Sequence, residues 1–313
     1  MELRQLEYFQ MVCRCNSITK AAAKLHVAQP SVTIAIKKLE EELGVTLLDR
    51  TQRQITLTTE GQVFLQRIND VLSRLHDATV EMNDYRILQK GSIKIGVPST
   101  IGAFPFPALF ARFQRLYPNF KLTVVEAGSL TIPHYLERGD IELGIMITSH
   151  PSNCLSTVSI TNGQILVCLP SGHPLSGLDT ISFANLRNER FVLLKEDSYS
   201  RQLILAECQK HQFSPNIVFS SSQIETVRSL VEQGVGISFL VDEVAKKHGT
   251  IVTRPLAEPL LYQIALAWNK ERYLSKATNL FIDFVTAKLT TCPLSQITTP
   301  SNSQETAIAD IAD

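Results

Sequence analysis

One segment, residues 17–61, limits the possible folds of this chain more than any other. Apolar residues at helical spacing predict a helix over 3–15, and an alanine-rich helix over 18–25 follows it. A third helix is predicted over 29–43, since a glycine stands just beyond it, where helices commonly end. Residues 46–58 then show an alternating pattern that indicates a short hairpin. The segment therefore predicts a helix-turn-helix followed by a wing.

The third predicted helix has two different faces. Its apolar face comprises Val32, Ile36, Leu39 and Leu43. Its outward residues are Gln29, Pro30, Ser31, Thr33 and Lys37. Amide and hydroxyl side chains suit the edges of DNA bases, whereas lysines suit phosphates. Arg50 and Arg53 add positive charge to the predicted wing. The helix could instead present an ordinary solvated face, but the helix-turn-helix context favours DNA binding.

The charge distribution supports a nucleic-acid partner only locally. Over the whole chain, 30 Lys and Arg residues balance 30 Asp and Glu residues. Residues 1–38, however, contain six Lys or Arg and only two Glu, so six minus two gives this segment a net charge of +4. Such an asymmetry on a neutral molecule is what phosphate binding requires.

These residues carry a family resemblance. The runs A-x-x-L-x-x-A-Q-P-S-V-T, L-E-x-x-L-G and L-T-x-x-G in residues 1–61 resemble the winged helix-turn-helix of LysR-type transcriptional regulators, and the similarity extends to about residue 289. Two positions depart from the pattern: Leu48 stands where phenylalanine is usual, and Ile34 where a polar or basic residue is common. The resemblance implies these DNA contacts: Gln29, Pro30, Ser31, Thr33, Lys37, Arg50 and Arg53.

A heptad repeat follows the predicted wing. Over 60–88, apolar residues recur at spacings of three and four: Phe64, Ile68, Val71, Leu75, Ala78 and Met82. This stripe predicts a long helix that forms the seam of a homodimer, and a helix lying on its own domain is the alternative. The resemblance implies the same paired linker helices. We accordingly expect a DNA-binding domain over 1–59, a dimerisation helix over 60–88 and an effector-binding domain over 91–289, with a disordered tail over 290–313.

The body of the chain alternates short apolar strands with helical segments. This order predicts parallel α/β sheets with helices on both faces. The family resemblance adds a two-lobed architecture similar to periplasmic binding proteins. Lobe I would comprise residues 91–161 and 267–289, and lobe II residues 162–266. The expected fold class is thus α/β, with a winged helix-turn-helix, a long linker helix and a two-lobed effector domain.

Hydroxyl side chains mark the predicted ligand cleft. In α/β folds, ligands bind at the carboxyl ends of strands, where helix N-termini present free amides. The candidate effector-binding residues are Ser99, Thr100, Ser129, Thr131, Ile147, Ser198, Ser200 and Arg201. They suit a small anion such as a carboxylate, although Ser99 and Ser200 could simply cap helices.

Other functional classes fit less well. No Cys/His spacing typical of a metal site, nucleotide-binding loop or Gly-x-Ser-x-Gly motif occurs, so the sequence predicts neither metal, cofactor nor enzyme activity. A transporter's solute-binding protein would leave the first 90 residues unexplained. Residues 1–17 are charged and predict no secretory signal, so we expect a cytoplasmic protein without a membrane span. A redox-sensing regulator that uses Cys168 or Cys208 remains an alternative.

Together these features predict a ligand-responsive transcription regulator. Its expected partners are double-stranded promoter DNA, a small-molecule effector, RNA polymerase and other copies of itself, as a dimer within a tetramer. Effector binding between the lobes would change how subunits pack, and so alter DNA bending.

Overall fold

The computed structural model describes residues 1–50, 55–86, 91–98, 106–148, 154–246 and 250–291. The chain divides into two compact units, Met1–Arg86 and Ile87–Asp313. The elements of the first unit are α1 (Leu3–Cys15), α2 (Ile18–Leu25), α3 (Gln29–Leu43), β1 (Leu48–Asp49), β2 (Thr56–Leu57) and α4 (Thr59–Arg86). The order and type of these elements confirm the predicted winged helix-turn-helix and the long helix after it.

Local signals set the ends of the first three helices. Ser17 caps α2, because its side chain accepts a hydrogen bond from the Lys20 amide at 3.3 Å. His26 ends α2 and Gly44 ends α3, both in the left-handed conformation. Pro30 lies in the first turn of α3, where its missing N–H costs nothing.

The core of the first unit lies between α1, α2, α3 and the wing. Its fully buried side chains include Phe9, Val12, Val32, Ile36, Leu39 and Leu47. Leu43 was predicted on the same inward face, but this prediction is wrong: its side chain is exposed at the last turn of α3.

A glycine joins the wing to the long helix. The Thr58 hydroxyl donates to the Thr46 carbonyl at 2.7 Å and accepts from the Gly61 amide at 2.9 Å. A Cβ atom on Gly61 would lie 2.1 Å from the carbonyl oxygen of Leu47. The L-T-x-x-G motif therefore reflects a capping threonine and a site with no space for a side chain.

The heptad stripe on α4 is divided between two environments. Ile68 is buried and Phe64 half-buried, and both pack in the core of the first unit. There the centroid of the Phe64 ring lies 5.7 Å from that of Phe9. Within the described residues, the remaining stripe positions are exposed: Val71, Leu75, Ala78 and Met82. The predicted seam is thus corrected at Phe64 and Ile68, which already have an intramolecular partner.

The second unit is a mixed α/β structure. Its strands are β3 (Ser92–Pro98), β4 (Lys121–Ala127), β5 (Leu143–Thr148), β6 (Leu155–Leu169), β7 (Arg190–Leu194), β8 (Asn216–Ser221), β9 (Ser238–Val241), β10 (Val252–Pro255) and β11 (Leu261–Asn269). Its α-helices are α5 (Phe106–Leu116), α6 (Ile132–Arg138), α7 (Tyr199–Lys210), α8 (Ile224–Glu232), α9 (Asp242–Ala245) and α10 (Lys276–Thr291). Short 3-10 helices lie at Pro174–Gly177 and Phe183–Leu186.

One long strand connects the two parts of this unit. The main sheet has the order β10-β6-β11-β5-β3-β4, with β9 also paired to β6. Residues 155–164 of β6 pair with β11, whereas residues 165–169 pair with β9 and β10. Strand β6 therefore changes its pairing partners between Gln164 and Ile165, and so connects the two parts of the sheet.

The predicted parallel pairing holds for only part of the sheets. Strand β3 is parallel to β4 and β5, and β7 is parallel to β8. Strands β6 and β11 instead run antiparallel to their neighbours. The chain leaves one lobe along β6 and returns along β11. These two strands therefore lie side by side in opposite directions, which accounts for the mixed sheet.

Several elements of this unit differ from what the apolar pattern predicts. The apolar run at 141–146 predicts a strand that lies at Leu143–Thr148, and the run at 165–169 predicts one that begins at Leu155. Strand β10 was not predicted, because half-buried Val252–Pro255 ends in proline and is short. The turn before β9 contains Gly234 at φ +74° and Gly236, where a Cβ would lie 2.3 Å from the Arg190 carbonyl oxygen.

Candidate DNA-binding face and effector cleft

Helix α3 presents a continuous polar face to solvent. Gln29, Pro30, Ser31 and Lys37 are exposed, and Thr33 is half-buried. Because Val32, Ile36 and Leu39 anchor the opposite face in the core, these side chains cannot exchange places with the apolar ones. The structure thus brings together every sequence-predicted contact on α3.

Gln29 and Thr33 are linked across one turn of α3. The Gln29 side-chain amide donates from Nε2 to the Thr33 hydroxyl oxygen at 2.8 Å. The Thr33 hydroxyl in turn donates to the Gln29 carbonyl at 3.2 Å. The amide oxygen of Gln29 is left at the surface as an acceptor, so the pair forms one polar unit of defined orientation.

The wing is held to α3 by a single carboxylate. Oε1 of Glu40 accepts from the amides of Leu47 at 2.9 Å and Leu48 at 3.1 Å, and Oε2 pairs with the Arg50 guanidinium at 3.0 Å. Arg50, a predicted DNA contact, therefore has an intramolecular partner. Lys37 lies 3.8 Å from the Glu41 carboxylate and stays largely exposed. Arg53 lies outside the described residues.

Ile34 interrupts the polar face with an apolar side chain. It is 56% exposed on the outer side of α3. No packing demand explains an isoleucine there, because the residue lies outside the core of its unit. In helices that lie in the major groove, an exposed apolar side chain of this kind can contact the methyl group of thymine.

The carboxyl ends of the parallel strands define the cleft in the second unit. Strands β3, β4 and β5 end at Pro98, Ala127 and Thr148, and β7 ends at Leu194. The loop after β4 contacts the loop after β7: the Leu130 amide donates to the Asp197 carbonyl at 3.1 Å. The loops that follow β4 and β7, which hold several of the predicted effector residues, thus meet at one place.

The centre of this contact is a hydrogen bond between the two loops. The Ser129 hydroxyl oxygen accepts from the Tyr199 amide at 2.8 Å, and Ser129 is buried. Gly128 lies so close to Asp197 that a Cβ would be 2.2 Å from its carboxylate. Tyr199 is the first residue of α7, and amides at helix N-termini are common binding sites for anions. The Ser129 hydroxyl therefore accepts a hydrogen bond from an amide that could otherwise bind an anion.

Other predicted effector residues surround the start of α7. Ser198 is the N-cap residue, yet its side chain makes no capping hydrogen bond. Ser200 is buried in the first turn and is not the cap, contrary to the capping alternative. Thr131 precedes α6, and Ile147 is buried near the end of β5. Ser99 and Thr100 lie outside the described residues.

Arg201 is positioned by lobe II itself. Its Nη1 donates to the Leu194 carbonyl at 2.9 Å and to the Ser220 hydroxyl at 2.7 Å, which joins the ends of β7 and β8. Its Nε is buried and has no hydrogen-bond partner among the described residues. Its Nη2 lies 3.9 Å from the Glu196 carboxylate, so Arg201 contacts its own lobe first and Nε–H is the donor left without a partner there.

A half-buried acidic cluster surrounds the buried Tyr262, which lies on β11. The Tyr262 phenol oxygen is 2.8 Å from a carboxylate oxygen of Asp242 and 2.9 Å from one of Glu243, while the Thr161 hydroxyl donates to Glu243 at 3.3 Å. Burial raises the pKa of Glu243. Sequence reasoning missed this cluster, because its members lie far apart along the chain.

The cysteines offer little support for redox chemistry. Burial raises the pKa of Cys13 and of Cys168 to about 12 and that of Cys208 to about 11. Since the thiolate is the reactive form, these thiols are poor nucleophiles near neutral pH.

Among the described residues, no helix is long and apolar enough to cross a membrane.

Two family models match the chain. The model described as "Bacterial regulatory helix-turn-helix protein, lysR family" matches residues 3–62, and the model described as "LysR substrate binding domain" matches residues 87–290. Together they cover both units, including the α3 face and the cleft.

Known proteins are similar over almost the whole chain. The uncharacterized HTH-type transcriptional regulator YybE of Bacillus subtilis is 31% identical over 286 residues, which is 91% of this chain and 98% of that protein. The transcriptional dual regulator GltC of the same organism is 28% identical over 290 residues, 91% of this chain and 96% of GltC. The crystal structure of HinK, a LysR family transcriptional regulator from Pseudomonas aeruginosa, is 30% identical with a TM-score of 0.56, and covers 92% of this chain and 98% of HinK.

Proposed function

Because this chain belongs to the LysR family of transcriptional regulators, with a DNA-binding helix-turn-helix and an effector-binding domain, we propose that it binds promoter DNA through α3 and responds to a small anion in the cleft around Ser129 and Ser198. The members of this family regulate transcription rather than catalyse reactions. The observation that supports the proposal is the Ser129–Tyr199 hydrogen bond, in which a hydroxyl oxygen accepts from the first amide of α7 as an anion would.

The proposed DNA contacts are those of the exposed face of α3. Gln29 and Thr33 contact base edges in the major groove, Ser31 and Pro30 lie at the helix N-terminus near the backbone, and Lys37 contacts phosphate. Arg50 and Arg53 act from the wing. Arg50 reaches phosphate while Glu40 keeps its guanidinium oriented, since that ion pair is only partly buried.

The proposed dimer uses the exposed part of the stripe on α4. Val71 and Met82 are 54% and 57% exposed, which is costly for large apolar side chains in water. Pairing with the same stripe of a second chain would remove this area from solvent. A symmetric dimer also presents two DNA-binding domains, so that the operator is expected to contain two related half-sites. Association of two such dimers gives the tetramer.

The effector in this proposal is a small anion. The Tyr199 amide, the Ser198 hydroxyl, which makes no capping hydrogen bond, and Nε–H of Arg201, which has no partner among the described residues, are all donors. The walls of the site are shaped by Thr131, Ile147 and Ser200. Ser99 and Thr100 would complete the site from the end of β3. An anion that accepts from the Tyr199 amide has to displace the Ser129 hydroxyl, which is then free to donate to the ligand.

The response follows from competition for that amide. The Ser129 contact joins the loops of the two lobes, between the predicted lobe I (91–161 and 267–289) and lobe II (162–266). An effector that replaces it with its own bonds favours a different arrangement of the lobes. Subunit packing, head spacing and DNA bending change in turn, and with them the contact to RNA polymerase.

A redox switch is the alternative within the same family. It requires a reactive thiolate, whereas burial raises the pKa of Cys168 and Cys208. The cleft, by contrast, offers several donors at one place. The anion proposal is therefore the better supported of the two.

A thermal-shift screen tests the effector proposal. The purified chain is melted with millimolar acetate, citrate, benzoate, phosphate or sulfate, because a ligand that binds only the folded chain raises its melting temperature, and more so the further its concentration exceeds its Kd. At least one anion should stabilise the wild type, and Ser198→Ala should reduce that shift. Ser229→Ala, at an exposed position on α8, is the matched control. Equal shifts in both variants would remove Ser198 from the site.

A further inference from the structure

A second cluster of potential ligands lies outside both the DNA-binding face and the cleft. Carboxylate oxygens of Glu207 and Glu258 and a ring nitrogen of His211 all lie within 4.8 Å of one another. Glu207 is in the last turn of α7, and His211, four residues later, is its C-cap residue. Glu258 comes from the segment between β10 and β11. Two elements that are distant in sequence therefore present three metal-binding groups to one point.

The surroundings hold two of these groups in place. Glu207 is only 8% exposed, so its carboxylate has to be compensated by a cation or by hydrogen bonds. The His211 ring stacks on Phe183 with ring centroids 5.6 Å apart and planes 16° from parallel. This stacking fixes the plane of the imidazole, and therefore the direction of its nitrogen lone pair. Glu258 is exposed and free to adjust.

A cation already lies at this cluster. The Lys210 ammonium contacts Oε1 of Glu207 at 2.5 Å, and the carboxylates of Glu207 and Glu258 both favour its charged form. The lysine side chain is nevertheless 69% exposed, so it can leave for solvent without losing buried contacts. Two carboxylates facing one mobile ammonium leave a negative charge that a divalent ion would balance.

We propose that Glu207, His211 and Glu258 form a binding site for a divalent transition-metal ion such as Zn²⁺, which enters by displacing the ammonium of Lys210 from Glu207. One imidazole and two carboxylates are common ligands of this ion, with bond lengths of about 2.0–2.2 Å. Three protein ligands leave further positions for water. Scanning for Cys/His spacing missed the site, because Glu258 lies far from the other two in sequence.

The site has a structural consequence for the second unit. A bound ion would fasten the C-terminal end of α7 to the segment that leads into β11, one of the strands crossing between the lobes. The N-terminal end of the same helix carries Tyr199, which contacts Ser129. Metal occupancy would thus stiffen the helix that contributes to the cleft. The site itself does not depend on the identity of the effector.

Calorimetric titration of the metal-free full-length protein with Zn²⁺ tests the proposal. Glu258→Gln should weaken binding by more than about tenfold, since losing a direct ligand exceeds the effect of losing an outer-shell partner. Being exposed, this residue can be changed without disturbing folding. Lys210→Met should strengthen binding, because it removes the competing cation. A simple ion-pair cluster would give neither result.

A control separates this site from other zinc-binding groups on the surface. His134 pairs with Glu137, whose carboxylate also accepts from the Cys154 thiol at 3.6 Å, so these three groups could bind Zn²⁺ themselves. His134→Ala should leave the high-affinity binding step unchanged. Absence of that step in the wild type, equal affinity in Glu258→Gln, or unchanged or weaker affinity in Lys210→Met would each overturn the proposal.

Discussion

The side-chain amide of Gln29 donates a hydrogen bond to the hydroxyl oxygen of Thr33, 2.8 Å away and one helical turn later. This bond fixes which end of the amide faces solvent, so α3 presents a defined acceptor at its surface. Preorganisation of this kind reduces the entropy lost on binding. The pair also explains why an amide and a hydroxyl occur at this spacing.

Replacing Gln29 with alanine should weaken binding to the specific operator by about 1–3 kcal/mol, the typical value of one base contact. Fluorescence anisotropy on the operator and on random duplex DNA of equal length measures the effect. The affinity of Gln29→Ala for random DNA should change little. The control variant Gln62→Ala, whose substitution lies on α4, should keep the wild-type affinity for the operator. Equal losses on both duplexes would place Gln29 on the phosphate backbone instead.

A charge in the stripe of α4 should separate the dimer. Val71→Glu puts a carboxylate at a position that is 54% exposed in one chain but opposite an apolar stripe in the pair. Light scattering should show a lower molecular mass than for the wild type. The exposed Gln66 on the same helix, changed to glutamate, is the control. If Val71→Glu keeps the wild-type mass, chains associate through another surface.

Removing the hydroxyl of Ser129 should loosen the contact between the two loops. Ser129→Ala leaves the Tyr199 amide without its partner, which should lower the free energy of unfolding by about 0.5–1.5 kcal/mol. Urea unfolding measures this, with Ser229→Ala as the comparison. An anion that binds the start of α7 should restore more stability to Ser129→Ala than to the wild type, and an absence of any difference would argue against competition for the amide.

The acidic cluster at the crossing strands should make stability depend on pH. The Tyr262 phenol can donate to only one of the two carboxylates that face it, and the pKa of Glu243 is raised, chiefly by burial. Other nearby charges on the same helix are Asp242 and Lys246, which lie 3.9 Å apart. The folded chain therefore holds the Glu243 proton more tightly than the unfolded chain does.

The sign of the effect follows from that difference. The stability contributed by the proton is complete below the usual pKa of 4.5 and is lost as the pH rises through the raised pKa of the folded state. The side chain in Glu243→Gln is neutral at every pH, so its free energy of unfolding should not fall in this way as the pH rises. The variant should therefore be more stable than the wild type at neutral pH. Urea midpoints between about pH 4 and pH 8 measure the difference. A difference that does not vary with pH would contradict the assignment.

Features that depend on local spacing could be predicted from the sequence. Helices α1 to α4 follow from apolar periodicity and from caps such as Ser17 and Gly44, because these signals act within a few residues. The face of α3 was predictable for the same reason. Leu43 was misplaced, since the last turn of a helix can leave the core even when the periodicity continues.

Features that depend on tertiary contacts could not be predicted. The bonds from Glu40 to the wing, the contact between Ser129 and Tyr199 and the joining of Arg201 to β8 all link segments whose proximity only the fold creates. The sequence placed Arg201 near the predicted effector residues but could not show that its Nη1 bonds to Leu194 and Ser220 of its own lobe. The sequence likewise could not show that the stripe on α4 begins inside the core of the first unit and continues as an exposed surface.

The most direct test of the account is selection of duplexes from a random DNA library by the full-length protein. A dimer that reads DNA through α3 should enrich one motif with two related half-sites, whose centres lie a whole number of helical turns apart, about 10–10.5 base pairs or a multiple. Thr33→Ala and Gln29→Ala should enrich it less or change its preferred bases. Enrichment of no motif, or of the same motif by all three proteins, would contradict the assignment of α3 as the element that reads DNA.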